Sequence, residues 1–166
     1  MMRIANLLLL GLAAACSPQP SAEASSRQAA TADPAAAAPQ RHPTSGLAVV
    51  PLAITTATGT HRFRAEVAAT PAQQQKGMMF RTAMAPDEAM MFPNAVPQVR
   101  SFWMKNTVIP LDIIYIGPDR RVLNIVTGEP YSLDSLPSAG PVINVVEIAG
   151  GRAAKLGIKP GDPVEW

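Results

Sequence analysis

The stretch from residue 17 to residue 46 contains no Val, Ile, Leu, Met, Phe, Trp or Tyr. Alanine, proline and serine dominate it, so it cannot bury enough apolar surface to offset the entropy lost on ordering. A hydrophobic core can therefore form only after this stretch. Residues 47–166 are the size of one domain. We expect a flexible tether at 16–46 and a single folded domain at 47–166.

The first fifteen residues have the features of a secretory signal. Arg3 gives a positive start, residues 7–12 are mainly leucine, and residues 13–15 are alanine. The apolar part is too short to span a membrane. Because Cys16, the one cysteine, follows directly, residues 1–16 resemble a bacterial lipoprotein signal, in which this cysteine is acylated. The resemblance implies membrane attachment through Cys16 and a cell-envelope location, with the domain facing the periplasm from the outer membrane.

Charge and thiol content exclude two classes of domain. Residues 47–166 carry eleven Lys and Arg against ten Asp and Glu, a formal charge of +1 with no basic block. Nucleic-acid binding therefore has no electrostatic support. The domain also has no cysteine, so packing and not disulfides must stabilise it.

Short apolar runs separated by turn residues predict a mainly β domain. Residues 61–68 alternate apolar and polar side chains, and residues 111–126 resemble a hairpin with its turn at 117–120. Thr70, Pro71 and Gln73 form a helix-start pattern, and Gly77 a helix stop. We predict a compact antiparallel sandwich, jelly roll or barrel with two short helices. The other expected strands are 89–92, 99–105 and 141–148, and the second helix is 151–156.

Five short motifs resemble one known family. They are KGMMFR, AMMF, SFWMKNTVIPLDIIYI, VVEIAGG and GIKPGD, which begin at residues 76, 89, 101, 145 and 157. Together they are similar to the bacterial and archaeal family called domain of unknown function 192, or uncharacterised protein family 0127. Ala89 and Arg120 stand where that family more often has glycine. The resemblance implies a mainly antiparallel β fold and implies no activity.

Charged residues inside apolar segments are the candidate functional groups. Asp112 shares a strand face with Ile114 and Ile116, and Glu147 shares one with Val145. Buried carboxylates need partners, so one interpretation is a structural ion-pair network with Arg81 and Lys105. The other is a cleft in which an aromatic platform and polar groups hold a small polar or anionic ligand. That cleft would be lined by Arg81, Trp103, Lys105, Asn106, Asp112 and Glu147.

An enzyme is a further alternative. Asp112 or Glu147 could act as general acid or base, with Lys105 or Arg81 stabilising negative charge. No nucleophile with a neighbouring base is visible in the sequence. His42, in the tether, and His61, at a strand edge, are expected to be solvated. We therefore name no catalytic residue and expect a binding module for a small ligand or an envelope protein.

Methionine suggests another class of ligand. Six of the eight methionines lie between residues 78 and 104, beside Phe80, Phe92 and Trp103. Thioethers suit Cu(I), so Met79, Met90 and Met104 could hold that ion. Methionine also fills gaps in hydrophobic cores, and we expect that role and no cofactor.

Overall fold

The structure is a computed structural model that describes residues 40–166. The predicted signal peptide, Cys16 and the tether up to residue 39 lie outside the described residues. No helix in the described part of the chain is long and apolar enough to cross a membrane.

The domain is mainly β with two short helices, as predicted. Nine strands form one seven-stranded sheet in the order β6-β5-β8-β3-β2-β1-β9 and a two-stranded sheet of β4 and β7. The strands are β1 (Val49–Thr56), β2 (Gly59–Val67), β3 (Glu88–Gln98), β4 (Ser101–Phe102), β5 (Leu111–Ile116), β6 (Val122–Gly128), β7 (Leu136–Pro137), β8 (Val142–Ala149) and β9 (Val164–Glu165), and the helices are α1 (Pro71–Lys76) and α2 (Arg152–Leu156).

The large sheet is mixed and not wholly antiparallel. β2 and β3 run parallel, with Ala65 opposite Ala89, and α1 lies in the connection between them. The other neighbours pair antiparallel, including the predicted β5–β6 hairpin. Arg121 and Pro163 form an isolated bridge, so the two edges of the sheet meet at one point. Within the described residues no continuous ladder joins these edges, and the sheet is not a closed barrel.

Each face of the large sheet carries its own core. One core includes Ile114, Ile116 and Ile148 and packs against Ala153 of α2. The other contains Phe92, Ile113 and Tyr115 from the sheet, with Met78 and Met104 from the connecting segments. Burying one such side chain stabilises the fold by about 1.5–3 kcal/mol. The second core is the one that positions the candidate site, because its covering segments carry the KGMMFR and FWMKNT motifs.

Local signals in the sequence explain α1 and its end. Thr70 accepts a hydrogen bond from the Gln73 backbone, and the Gln73 side chain accepts one from the Thr70 backbone, which completes the predicted capping box. Gly77 ends the helix at a φ of 45°. A Cβ on Gly77 would lie 3.5 Å from the Phe92 ring, so the chain passes close over β3 at this point.

The sequence did not predict β1, and two expected boundaries need correction. The strand expected at 99–105 is only two residues long, because residues 103–107 turn away from it. The domain also begins before residue 47. The Val49 amide donates to the Gln40 carbonyl at 2.7 Å, and Arg41 bridges to Ala48. Residues 40–46, expected in the tether, are therefore part of the hydrogen-bonded fold.

Candidate functional site

Three surface pockets meet at the segment from Lys76 to Met79. The Arg81 cleft has a volume of about 460 Å³ and is bounded by Ser45, Leu47, Phe80, Arg81 and Met90. The Trp103 groove, about 320 Å³, is bounded by Trp103, Lys105 and Asn106. The Glu147 pocket, about 120 Å³, lies between Glu147, Arg100, Phe102 and Trp103. Lys76 and Met79 line all three.

Arg81 is held in its cleft by a buried glutamate on β2. Its Nη1 and Nη2 lie 3.3 and 3.0 Å from Oε2 and Oε1 of Glu66, whose side chain is only 1% exposed. The Ser45 hydroxyl donates a further hydrogen bond to Oε2. This bidentate pair fixes the plane of the guanidinium. Glu66 thus engages two of the five N–H donors of Arg81.

His42 is buried, so the prediction that it is solvated is wrong. Its side chain is 9% exposed, with Nδ1 3.6 Å from Glu66 and Nε2 3.5 Å from Glu88. The Ala85 amide and then His42 and Arg64 hold the pKa of Glu88 below its usual value, against the effect of burial. Through its contacts with Glu66 and Glu88, His42 holds residues 40–46 beside the Arg81 cleft. His61 is half-buried and lies 3.1 Å from the Thr56 hydroxyl.

Two exposed aromatic residues have left-handed backbones. Phe80 has a φ of 64° and is 69% exposed, and Tyr131 has a φ of 64° and is 60% exposed. Their amides donate to the carbonyls of Asn106 and Thr107 at 2.8 and 3.1 Å, so they bind two successive carbonyls at the end of the FWMKNT turn. A left-handed conformation is unfavourable for a bulky residue and is found where a site requires it. Neither ring gains burial in return.

The Trp103 groove unites three of the predicted site residues. Lys105 Nζ lies 5.2 Å from the centroid of the Trp103 ring, a cation–π distance. Asn106 has a φ of 56°, and its side-chain amide lies 3.9 Å from the sulfur of Met79. Within residues 40–166 no carboxylate lies within ion-pair distance of Lys105 or Lys76. The groove therefore has a net positive rim.

Glu147 lies on β8 at the base of its pocket. The residue is 5% exposed, and within the described chain no donor reaches its Oε2 atom. Burial raises the pKa of this carboxyl to about 8, so it is mostly protonated at neutral pH. Burial, and secondly the neighbouring Glu147, raise the pKa of the Tyr115 hydroxyl above its usual value. Glu147 thus presents a neutral acid to the pocket.

Asp112 lies on the opposite face of the sheet and binds backbone amides at the start of α2. Its carboxylate accepts from the amides of Gly151 and Ala153 at 3.0 and 2.7 Å, and from the Thr127 hydroxyl at 2.8 Å. Gly151 is the N-cap residue of α2 and has no side chain to cap the helix. Asp112 therefore supplies the acceptor that a helix start requires, from a strand far away in sequence.

The structure does not bring all six predicted residues together. Trp103, Lys105 and Asn106 share one groove, Trp103 and Glu147 share the next pocket, and Arg81 lies in the adjoining cleft, whereas Asp112 is on the other face of the sheet. The alternative ion-pair network of Arg81 and Lys105 with Asp112 and Glu147 is wrong, because Arg81 pairs with Glu66 and Asp112 binds backbone amides.

Sequence reasoning missed five residues of the site. Alternation placed Glu66 on the same solvated strand face as Arg62 and Arg64, and those two are exposed. Glu66 is instead covered by the segment that carries Arg81. The Gln73 pattern that predicted α1 could have directed attention to Lys76 at the end of the same helix. The missed residues are His42, Ser45, Glu66, Lys76 and Arg100.

The three methionines considered for Cu(I) differ in environment. Met90 and Met104 are buried in the core beside Phe92 and Tyr115, whereas Met79 lies outside that core at the pockets. The described residues contain no group of three or more His, Cys, Asp or Glu that could hold a metal ion. Copper binding stays an alternative, and the packing role of Met90 and Met104 accounts for their positions.

Asp112→Ala should destabilise the fold by about 2–4 kcal/mol, because three donors, two of them at the start of α2, lose a buried acceptor. Urea unfolding measures this loss. The matched control is Asp134→Ala, an exposed aspartate bonded to Ser132, which should change stability by less than about 0.5 kcal/mol. Equal stability of the two variants would show that the Asp112 contacts contribute little.

Glu147 should make stability depend on pH. The unfolded carboxyl ionises near pH 4.5, whereas the folded one keeps its proton to about pH 8. Its contribution is therefore complete below pH 4.5 and is lost as the pH rises to 8, by up to about 1.4 kcal/mol per pH unit. Glu147→Gln stays neutral throughout. Relative to the parent, we expect it to gain stability between pH 5 and pH 9 in urea unfolding. A pH-independent difference would contradict the assignment.

Comparison with known proteins supports the resemblance seen in the motifs. The sequence profile of DUF192, described as "Uncharacterized ACR", matches residues 53–166. A solved protein of unknown function from Novosphingobium aromaticivorans is 56% identical, with a TM-score of 0.76 over 79% of this chain and 94% of that chain. A protein from Sinorhizobium meliloti, described as a proposed transcription regulator, is 36% identical, with a TM-score of 0.69 over 72% and 94%. No curated protein matches the chain.

The profile match covers α1 and the KGMMFR and FWMKNT motifs, which surround the three pockets. It also covers α2, eight of the nine strands and the end of β1. Both solved structures share the fold over most of the described residues. The chain therefore belongs to the DUF192 family.

Proposed function

We propose that the domain is a binding module for a small anionic ligand with an apolar part, held in the Arg81 cleft. The observation that carries the proposal is the presentation of Arg81. A buried glutamate fixes its guanidinium at the wall of a cleft of about 460 Å³, within the size range of small-molecule sites. A purely structural ion pair would not require a cleft of this size beside it.

The surroundings of Arg81 support an anion with an apolar part. Lys76 lines the cleft and has no carboxylate partner among the described residues, so its charge adds to the unused donors of Arg81. Leu47, Met79 and Met90 provide apolar walls. Phe80 stands at the cleft with its ring exposed and its backbone in a strained conformation. A ligand contacting that ring would bury apolar surface that is now in water.

Binding is a better account of the cleft than catalysis. The enzyme alternative needs a carboxyl placed near Arg81 or Lys105 and free to transfer a proton. Glu66 is engaged by Arg81 and Ser45, and Asp112 is engaged by α2. Glu147 lines the adjoining pocket and does not border the Arg81 cleft. Transcription regulation, named for the Sinorhizobium meliloti protein, has no support in the near-neutral charge of residues 47–166.

The test is a thermal-shift screen of small aromatic and aliphatic carboxylates and phosphates. A ligand that binds only the folded state must raise the melting temperature. Phe80→Asn and Lys76→Met should each weaken binding of a hit about tenfold or more. Phe80→Asn should not lower stability, because asparagine tolerates a left-handed backbone better than phenylalanine.

Lys155→Met is the matched control for Lys76→Met. Both lysines are exposed and lie in the last turn of a short helix, so their loss has the same effect on the helix dipole. The control should leave affinity unchanged. A hit that binds all three variants equally would place its site elsewhere, and no hit among the anions would refute the proposed ligand class.

We also propose that acylated Cys16 attaches the protein to the outer membrane. The signal-like residues 1–15 and the position of Cys16 directly after three alanines support this. Cys16→Ser should move the protein from the membrane fraction to the soluble fraction of the envelope. Cells fed a labelled fatty acid should label the parent and not the variant, and equal membrane recovery of both would refute the attachment.

A further inference from the structure

Glu147 differs from the other two buried carboxylates of the described chain. Glu66 is bonded to Arg81 and Ser45, and Asp112 accepts from three donors. Glu147 is 95% buried, yet no donor in the described residues reaches its Oε2. Buried polar groups in proteins almost always have partners, and exceptions are concentrated at functional sites. Because Glu147 also lines a pocket, a bound molecule can supply a partner for its carboxyl group.

The Glu147 pocket is built from polar side chains with fixed orientations. Gln74 donates to the Pro93 carbonyl at 3.0 Å, which turns its own oxygen toward Arg100. Arg100 donates to that oxygen at 3.3 Å and to Asn94. Its guanidinium carbon lies 5.4 Å from the centroid of the Phe102 ring. The pocket therefore has a guanidinium on its wall and a carboxyl group at its base.

Arg100 has only neutral partners among residues 40–166. Asn94, Gln74 and the Phe102 ring orient it without neutralising its charge, and no carboxylate lies within ion-pair distance. Lys76, also unpaired, lies on the same pocket. These two cations oppose a cationic ligand, although an ionised Glu147 would attract one. An anion is favoured by both cations and requires only that Glu147 keep its proton.

We propose that the Glu147 pocket binds a small carboxylate. One ligand oxygen accepts a hydrogen bond from the protonated Glu147 carboxyl, and the other pairs with the Arg100 guanidinium. Arginine is suited to this role because its planar donors match the geometry of a carboxylate. The binding is noncovalent. This site is distinct from the Arg81 cleft and does not depend on the function proposed for it.

The volume of the pocket limits the ligand to a few heavy atoms. At about 120 Å³ it is smaller than the range of about 300–1,000 Å³ typical of sites for drug-sized ligands. Acetate, glycolate and propionate are of this size. The Trp103 and Phe102 rings line the pocket and would contact the carbon end.

The affinity of the pocket for a carboxylate should depend on pH, because the ligand binds the protonated form of Glu147. The charged or titratable groups that face Glu147 are Tyr115 on β5, Arg100 before β4 and Lys76 at the end of α1. The Glu147 carboxyl has a pKa of about 8 and so loses its proton in this pH range. Affinity for a carboxylate should therefore be constant between pH 6 and 7 and fall about tenfold per pH unit above pH 8, because the ionised Glu147 must first regain its proton.

The experiment is an NMR titration of the full chain with sodium acetate, with sodium chloride replaced to keep ionic strength constant. Methylammonium chloride serves as the cationic probe of similar size. We expect acetate to shift the Trp103 indole and Glu147 backbone signals, with affinity falling tenfold from pH 8.5 to 9.5. Methylammonium should cause no shift.

Two variants separate the contributions. Glu147→Gln keeps a donor and has no titrating proton, so it should bind acetate with no loss of affinity above pH 8. Arg100→Met should bind at least tenfold more weakly at every pH. Arg152→Met is the matched control, because Arg152 is also half-buried and donates to a neutral acceptor, the Pro86 carbonyl. It should bind as the parent does.

Melting curves of each variant show whether it is folded at the titration temperature. If Arg100→Met does not fold, the pH profiles of acetate affinity for the parent and Glu147→Gln still test whether Glu147 must be protonated for binding. The absence of acetate binding, binding of methylammonium instead, or a pH profile unchanged in Glu147→Gln would each overturn the proposal. Binding that Arg100→Met and Arg152→Met weaken equally would also overturn it.

Discussion

The buried ion pair between Arg81 and Glu66 connects the parts of the fold that form the candidate site. Glu66 belongs to β2, and Arg81 to the segment that follows α1. The same carboxylate accepts from Ser45 and lies beside His42, so it also holds residues 40–46. Removing Arg81 would leave a carboxylate buried without its main partner, which typically costs several kcal/mol. The ion pair therefore stabilises the fold and also places Arg81 in the wall of the Arg81 cleft.

Within the described chain, the register of the sheet places an ion-paired glutamate and an unpaired one in a single row across neighbouring strands. Glu66 lies opposite Met90, and Met90 lies opposite Glu147, so the two glutamates flank one methionine on the same face. Strands are about 4.8 Å apart, which separates their backbones by roughly 10 Å. The KGMMFR segment covers both ends of this row. It brings Arg81 to Glu66 and no hydrogen-bond donor to Oε2 of Glu147, so the two carboxyl groups differ in pairing.

Local patterns in the sequence predicted much of this fold. The capping box at Thr70 and Gln73, the β5–β6 hairpin and the strand faces of Asp112 and Glu147 depend on residues close together in the chain, and each is present. The requirement that Asp112 have a partner was also correct. The identity of that partner was not predictable, because the amides of Gly151 and Ala153 come from a helix 39 and 41 residues away.

The errors share a physical cause, which is that alternation along a strand does not show what covers each position. Arg62, Arg64 and Glu66 lie on one face of β2, yet only Glu66 is covered. His42 was placed in the tether because its neighbours are proline, threonine and serine, and no local pattern shows that two distant glutamates flank it. The parallel pairing of β2 with β3 is likewise a long-range choice. It brings the end of α1 over the sheet and so determines where all three pockets lie.

The three pockets share part of their walls. Lys76 and Met79 line the Arg81 cleft, the Trp103 groove and the Glu147 pocket, and Gly77 lines the first and third. Gly77 passes close to the Phe92 ring, and the Phe80 amide is bonded to Asn106, so the segment is anchored on both sides of the methionines. A ligand that moves Met79 in one pocket must change the wall of the other two. Ligands bound in neighbouring pockets would therefore influence each other's affinity through these shared residues.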